Sequence, residues 1–370
     1  MRALAVAFAL VFALAFASRA EALPANFWGA VPQSELDTEQ FQRLGRGNVE
    51  SVRVSFDWSQ LQPQRGAPIA WSRIDTTVER AALAGIDVLP TITGAPQWAV
   101  PSAHVPGGGG STAPKHLPAS GAAAAGWKSL LKQSIERYGP NGTFWTAHPS
   151  VPPQPIRAWQ IGNEPNFKYF VTKPNPTEYG KLVKLSYSTV KSADPGAQVV
   201  LAGLFARPKG ARTKSGEHKS LNWYASDFIA KMYETNPGIK SRFDGVALHP
   251  YAYYANELPG LVEELRGVLI EHKDPGADIW ITELGWSSGK PTRSNLFAKG
   301  PGGQANQLSA AFKTLRAKQK KWHIQRVYWF SVDDLDGACN FCGGSGLFGP
   351  GFTPKKSWSA YVKFTGGIAG

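Results

Sequence analysis

Two glutamates stand where acid–base chemistry would need them. Glu164 lies in Trp159-Gln160-Ile161-Gly162-Asn163-Glu164-Pro165-Asn166, and Glu283 in Ile279-Trp280-Ile281-Thr282-Glu283-Leu284-Gly285-Trp286. Each ends a short apolar run and stands where that run breaks into a turn, with aromatic rings close by in sequence. Cleavage of a bond between sugars uses two carboxyl groups facing one bond, roughly 5–5.5 Å apart when the anomeric configuration is retained. One protonates the leaving oxygen while the other attacks the anomeric carbon. Arg53, inside Val52-Arg53-Val54-Ser55-Phe56, is costly to bury without a carboxylate partner. A positive charge beside the attacking group favours its ionised form, and that negative charge in turn keeps the neighbouring acid protonated.

The elements that must position this pair are strand-like runs alternating with helical periodicity. Eight runs are expected as strands: Phe27–Val31, Ser51–Phe56, Asp87–Ile92, Ile156–Ile161, Gln198–Leu204, Phe243–His249, Asp278–Thr282 and Val327–Ser331. Most are β-branched or aromatic and lack alternation, as parallel strands buried on both faces do. Between them, apolar residues recur at helical spacing: Ile74, Val78 and Ala82; Trp127, Leu130, Leu131, Ile135 and Tyr138; Tyr179, Leu182, Val183 and Val190; Leu221, Tyr224, Phe228, Ile229 and Met232; Leu308, Ala311, Phe312 and Leu315. Ser34 to Asp37 offers an N-cap for a first helix. Eight strand–helix units predict a single-domain (β/α)8 TIM barrel, with chemistry at the C-terminal strand ends. Glu164 would then follow strand four and Glu283 strand seven. No Gly-rich phosphate loop follows the first strand, which disfavours an open doubly wound sheet. The Gly- and Pro-rich segment 101–126 would hang over the catalytic face as a flap or a simple insertion.

With the Asn163-Glu164-Pro165 and Trp280-Ile281-Thr282-Glu283-Leu284-Gly285-Trp286 strings at these strands, the chain resembles the clan-A retaining glycoside hydrolases. It is similar to their cellulase-like (family 5) and β-xylosidase-like (family 39) barrels over residues 27 to 366. The resemblance implies Glu164 as acid/base, Glu283 as nucleophile and Asn163 bonding the sugar 2-hydroxyl. It places Arg53 beside the nucleophile, matches His249 and Tyr251 to the His-x-Tyr pair after strand six, and makes Trp329 the floor of the sugar subsite. Trp98 and Trp286 are further candidates for stacking on a sugar face. Cellulase-like members often carry a histidine at the end of strand three. Here that stretch reads Leu89-Pro90-Thr91-Ile92-Thr93-Gly94-Ala95-Pro96-Gln97-Trp98, closer to the β-xylosidase-like pattern.

The ends and the composition set the context. Arg2, the apolar stretch Ala3 to Phe16 and Ala20-Glu21-Ala22 predict a signal peptide over 1–22, with 23–370 as the secreted catalytic domain. The stretch is too short for a comfortable membrane span, so no transmembrane segment is expected. Apolar content of 42% and charged content of 18% exclude global disorder. Cys339 and Cys342 are expected as a disulfide in an oxidising compartment, since no second ligand pair exists for zinc. The seven histidines form no ligand-spaced pair, so no catalytic metal or cofactor is implied. The formal charge of +13 includes Arg207, Lys209, Arg212, Lys214 and Lys219 after strand five, where His218 also lies, and Lys290 and Arg293 after strand seven. Such loops could steer an anionic glycan or simply face water. The expected partner is a carbohydrate acted on by a monomer, with nucleic acid a poor fit. A silent polysaccharide-binding barrel and a transglycosylase with the same site are the competing readings.

Overall fold

The computed structural model describes residues 22–100, 116–206, 223–337, 339 and 341–370, with the backbone of 104–106 and 112–114. Apart from Ala22 the expected leader lies outside the described residues, as do Leu221 and the basic run from Arg207 to Lys219. Eight parallel strands close into one barrel: β1 (Trp28–Val31), β2 (Ser51–Asp57), β3 (Asp87–Thr93), β4 (Ala158–Asn163), β5 (Gln198–Ala206), β6 (Gly245–Pro250), β7 (Asp278–Leu284) and β8 (Ile324–Phe330). Neighbours in space follow chain order, and β1 pairs with β8 to close the seam. Each expected strand is present. Ile156 and Arg157 fall before β4, and β8 starts three residues earlier than the apolar run suggested, at Ile324.

A helix follows every strand: α1 (Thr38–Arg46), α2 (Ser72–Leu83), α3 (Gly121–Tyr138), α4 (Pro176–Ala193), α5 (Ala225–Thr235), α6 (Leu258–Glu271), α7 (Gly300–Trp322) and α8 (Lys356–Thr365). Asp37 caps α1 with a reciprocal box to Gln40, and Asn175 caps α4 ahead of Pro176. The periodic residues of α2, α3, α4 and α7 are buried, as are Phe228, Ile229 and Met232 of α5. They form the larger core, between strands and helices. Phe312 of α7 belongs to it, stacked on Trp28 at 4.4 Å and edge-on to Tyr361 of α8 at 5.5 Å. A second, smaller core fills the barrel interior with Val31, Leu89, Ala158, Val200, Ala247, Trp280, Tyr328 and Phe330.

Alternation along β8 decides the fate of one expected site residue. Tyr328 and Phe330 point into the barrel, so Val327 and Trp329 must point out. Trp329 is wholly buried in the helix layer, 6.4 Å from Phe312, with its indole N–H donating to the Ser345 carbonyl. It offers no ring face to a sugar, and the expectation of a Trp329 floor is corrected. No described helix is long and apolar enough to cross a membrane.

Candidate active site

Two backbone irregularities aim the glutamates. Along β7, Ile281 pairs with Val327 and Leu284 with Trp329, so three steps on β7 match two on β8. This bulge at Thr282-Glu283 lets two consecutive side chains reach the barrel interior, where simple alternation would allow one. Glu283 therefore lies within β7 rather than after it. At the end of β4, Gly162 has φ +86° and Glu164 has φ +42°. A left-handed glutamate costs on the order of 1–3 kcal/mol. The Glu164 backbone N–H donates to the Gly203 carbonyl on β5 at 3.1 Å, which holds the turn in place.

Arg53 of β2 anchors the centre. Its guanidinium donates to Glu283 Oε1, Gln160 Oε1 and Asn163 Oδ1, each at 2.6 Å, while only 6% exposed. The other Glu283 oxygen accepts from the Tyr251 hydroxyl at 2.7 Å. His249 of β6 lies 2.7 Å from Glu164 Oε1 through Nδ1 and 2.9 Å from Thr282 Oγ1 through Nε2. Glu164 and Glu283 are 5% and 8% exposed, so both remain reachable from the barrel mouth yet shielded from bulk water. An oxygen from each carboxylate and a His249 ring nitrogen lie within 4.8 Å of one another.

The two carboxylates have unlike surroundings. Glu283 faces a guanidinium and a phenol, both donors. Burial first, and then the Glu283 charge, push the Tyr251 hydroxyl well above its usual range, so it stays a neutral donor. Glu164 faces an imidazole whose protonation burial first, and then the Arg53 charge, push well below the usual value. His249 is thus neutral, so the imidazole brings no positive charge to Glu164, while the guanidinium charge lies against Glu283. Asn163, having spent its carbonyl oxygen on Arg53, keeps its amide N–H groups as donors.

Glu164, His249 and Glu283 could supply three metal-ligand atoms by type and spacing. They fit a cation poorly. Arg53 already occupies one Glu283 oxygen, Tyr251 the other, and both His249 nitrogens are engaged.

Sequence reasoning missed Gln160 and Thr282. Gln160 bonds Arg53, Thr91, the Leu201 carbonyl and Thr282, all in the buried interior. Their signal was a polar residue inside an apolar run. Gly203 was missed too: a β-carbon there would overlap the His249 ring.

An aromatic rim surrounds Tyr251, with ring centres of Phe341, Phe205, Phe297 and Phe330 at 5.4, 5.9, 6.1 and 6.3 Å. Phe341 is presented by the loop that a Cys339–Cys342 disulfide closes. Phe330, not Trp329, is the β8 ring facing this mouth. Trp286 is also buried outside the barrel interior, its indole N–H donating to the Tyr253 carbonyl, so it too presents no free face. Trp98 is half-buried on the loop after β3, edge-on to Trp58 and flanked by Arg65, and the carboxylate network does not include it. Lys290 and Arg293 are exposed on the loop after β7.

Comparison with known proteins bears on the fold and on the family. Among solved structures, a family 39 glycoside hydrolase from Bacteroides cellulosilyticus WH2 superposes with a TM-score of 0.65 at 18% identity, over 92% of this chain and 64% of that one. A family 39 β-xylosidase from Caulobacter crescentus gives 0.63 at 19% identity, over 93% and 72%. A glucosidase from Croceicoccus marinus gives 0.62 at 14% identity, over 92% and 67%. At such identities the likeness is one of fold, and the chain spans less than two thirds of the Bacteroides protein's length. A comparison with curated proteins returns no match. The family model described as glycosyl hydrolase catalytic core matches residues 162–348, just over half of the chain and both glutamates. A barrel of this topology, carrying that core across its catalytic strand ends, belongs to the glycosyl hydrolase catalytic core family.

Proposed function

We propose that this protein is an exported retaining hydrolase of β-linked glycosides, with Glu283 as nucleophile and Glu164 as acid/base. The observation that carries the reading is the close, asymmetric carboxylate pair. Carboxylate oxygens within 4.8 Å of one another lie nearer the roughly 5–5.5 Å spacing of retaining enzymes than the roughly 6.5–9.5 Å of inverting ones, which supports the retaining reading. In the first step a Glu283 oxygen attacks the anomeric carbon and the glycosidic C–O bond breaks. Glu164 passes its proton to the departing oxygen. In the second step Glu164 takes a proton from water, water attacks the glycosyl ester, and Glu283 is released as carboxylate.

Arg53 and Tyr251 stabilise Glu283 while it is ionised, and the Asn163 amide is oriented to donate to a sugar hydroxyl beside the bond. Aryl β-xylosides and β-glucosides are the first probes, because the structural neighbours include a β-xylosidase and a glucosidase. Glu283→Ala should abolish turnover, and azide should restore it with inverted product, since a small anion can fill the vacated space. Glu164→Ala should cripple phenyl glycosides and largely spare dinitrophenyl ones, which need no proton. Wild-type turnover in Glu283→Ala, or equal losses across leaving groups in Glu164→Ala, would sink the assignment. Product ratios with added sugar acceptors separate hydrolysis from transglycosylation.

A further inference from the structure

The buried polar groups between the two carboxylates form a chain with only one workable direction. Arg53 can only donate, so its 2.6 Å bond fixes Gln160 with the amide oxygen toward the guanidinium. The Gln160 nitrogen then faces the Leu201 carbonyl at 3.1 Å, which only accepts, and Thr282 Oγ1 at 3.2 Å. Thr282 must therefore accept from Gln160. Its own hydroxyl proton is wholly buried and needs an acceptor. Among the described residues its remaining partner is His249 Nε2 at 2.9 Å. A neutral imidazole that accepts at Nε2 carries its hydrogen on Nδ1, and Nδ1 lies 2.7 Å from Glu164 Oε1.

We infer that Thr282 and Gln160 are positioning residues that relay the polarity of Arg53 to Glu164 and assign the catalytic proton to Glu164 Oε2. With Nδ1–H donating to Oε1, that oxygen accepts whether Glu164 is ionised or protonated. The exchangeable proton then belongs on Oε2. In the first step it moves from Oε2 to the departing glycosidic oxygen as the C–O bond breaks. In the second, water returns a proton to the same Oε2 while its oxygen bonds to the anomeric carbon. Without the Thr282 hydroxyl, His249 could carry its hydrogen on Nε2. Nδ1 would then accept from Glu164, drawing the acid proton onto Oε1 and into the contact with the imidazole. Groups facing the imidazole are Glu164, Glu283 (Oε2 at 3.5 Å), Arg53, Thr282 and Tyr251.

This inference rests on the assignment of Glu164 as acid, and its test separates the two. In wild-type protein with isotope-labelled histidine, the two ring-nitrogen shifts of His249 should report a neutral Nδ1–H tautomer. Thr282→Val keeps the shape and removes the hydroxyl. It should lose roughly tenfold or more in kcat/KM on phenyl glycosides and less than about twofold on dinitrophenyl ones, a fraction of the ~10²–10⁴ a general acid supplies. Thr282→Ser should restore both. A wild-type Nε2–H tautomer overturns the inference even if Thr282→Val fails to fold. A folded Thr282→Val with the wild-type leaving-group dependence also overturns it. If Glu164→Ala, measured alongside, shows no leaving-group dependence, the fault lies with the assignment of Glu164 instead.

Discussion

Gly203→Ala tests how tightly the site is packed, because the smallest possible side chain meets a firmly held neighbour. A β-carbon on Gly203 would overlap three atoms of the His249 ring. That ring is wholly buried and tied at both nitrogens, so no flexible end can swing aside. If the ring stays, overpacking should cost about 1–3 kcal/mol of stability. If the ring moves by about 1 Å, the Glu164 contact is lost and kcat/KM on phenyl glycosides should fall on the order of 10²-fold. Urea unfolding and steady-state kinetics on one preparation read both quantities. Gly267→Ala is the control, since a β-carbon there meets open space within α6 and should gain about 0.5–1 kcal/mol. Adding His249→Ala to Gly203→Ala removes the overlap, so the two changes should couple by about 0.5–3 kcal/mol. A Gly203→Ala protein with wild-type stability and wild-type kinetics would refute the reasoning.

Further tests reach other parts of the molecule. Phe312→Ala should cost about 3–5 kcal/mol in urea unfolding, because a wholly buried ring at the meeting of β1, β8 and α8 leaves a cavity. Since folded His249 titrates well below 6.5, the unfolded chain binds a proton there that the folded chain refuses. Its contribution to stability should be full above that pH and fall below it by up to about 1.4 kcal/mol per pH unit. His249→Gln should flatten this part of the stability–pH curve, and an unchanged slope would contradict a neutral imidazole. Thiol titration of denatured, unreduced protein should find no free cysteine. Replacing both cysteines by serine should cost at most about 2–3 kcal/mol and act mainly on KM through the Phe341 loop. N-terminal sequencing of exported protein should begin at Leu23.

Much of the architecture was legible because each barrel strand is a compact apolar run between polar breaks, and because the two glutamates end such runs. Phase was harder. Val327-Tyr328-Trp329-Phe330 is apolar on both faces, so nothing local tells which rings look inward. The large indole drew attention, yet Phe330 faces the mouth and Trp329 the helices. The bulge at Thr282-Glu283 is equally hidden, since it arises from unequal pairing with β8 rather than from a glycine or proline. Helices α6 and α8 went unmarked, although Leu261, Val262, Leu265 and Leu269 have clear periodicity. Gln160 and Thr282 could have been found by asking what a polar group inside a buried strand must bond to.

The seam between β1 and β8 also sets a clock. Arg53 and its carboxylate partner are separated by 230 residues, and the barrel closes only when β8 reaches β1. Chains emerge at about 5–20 residues per second, so an Arg53 already delivered waits about 10–50 s for Glu283 to appear. During that interval the growing sheet has an unpaired edge on either side, and the guanidinium lacks its carboxylate, with Gln160 and Asn163 arriving only on β4. No partial barrel can bury that charge favourably, so early strands gain little by settling before the last ones arrive. Under the proposed export, a chain that stays loose until it is complete would suit passage through a narrow channel, with closure and disulfide formation both following on the far side.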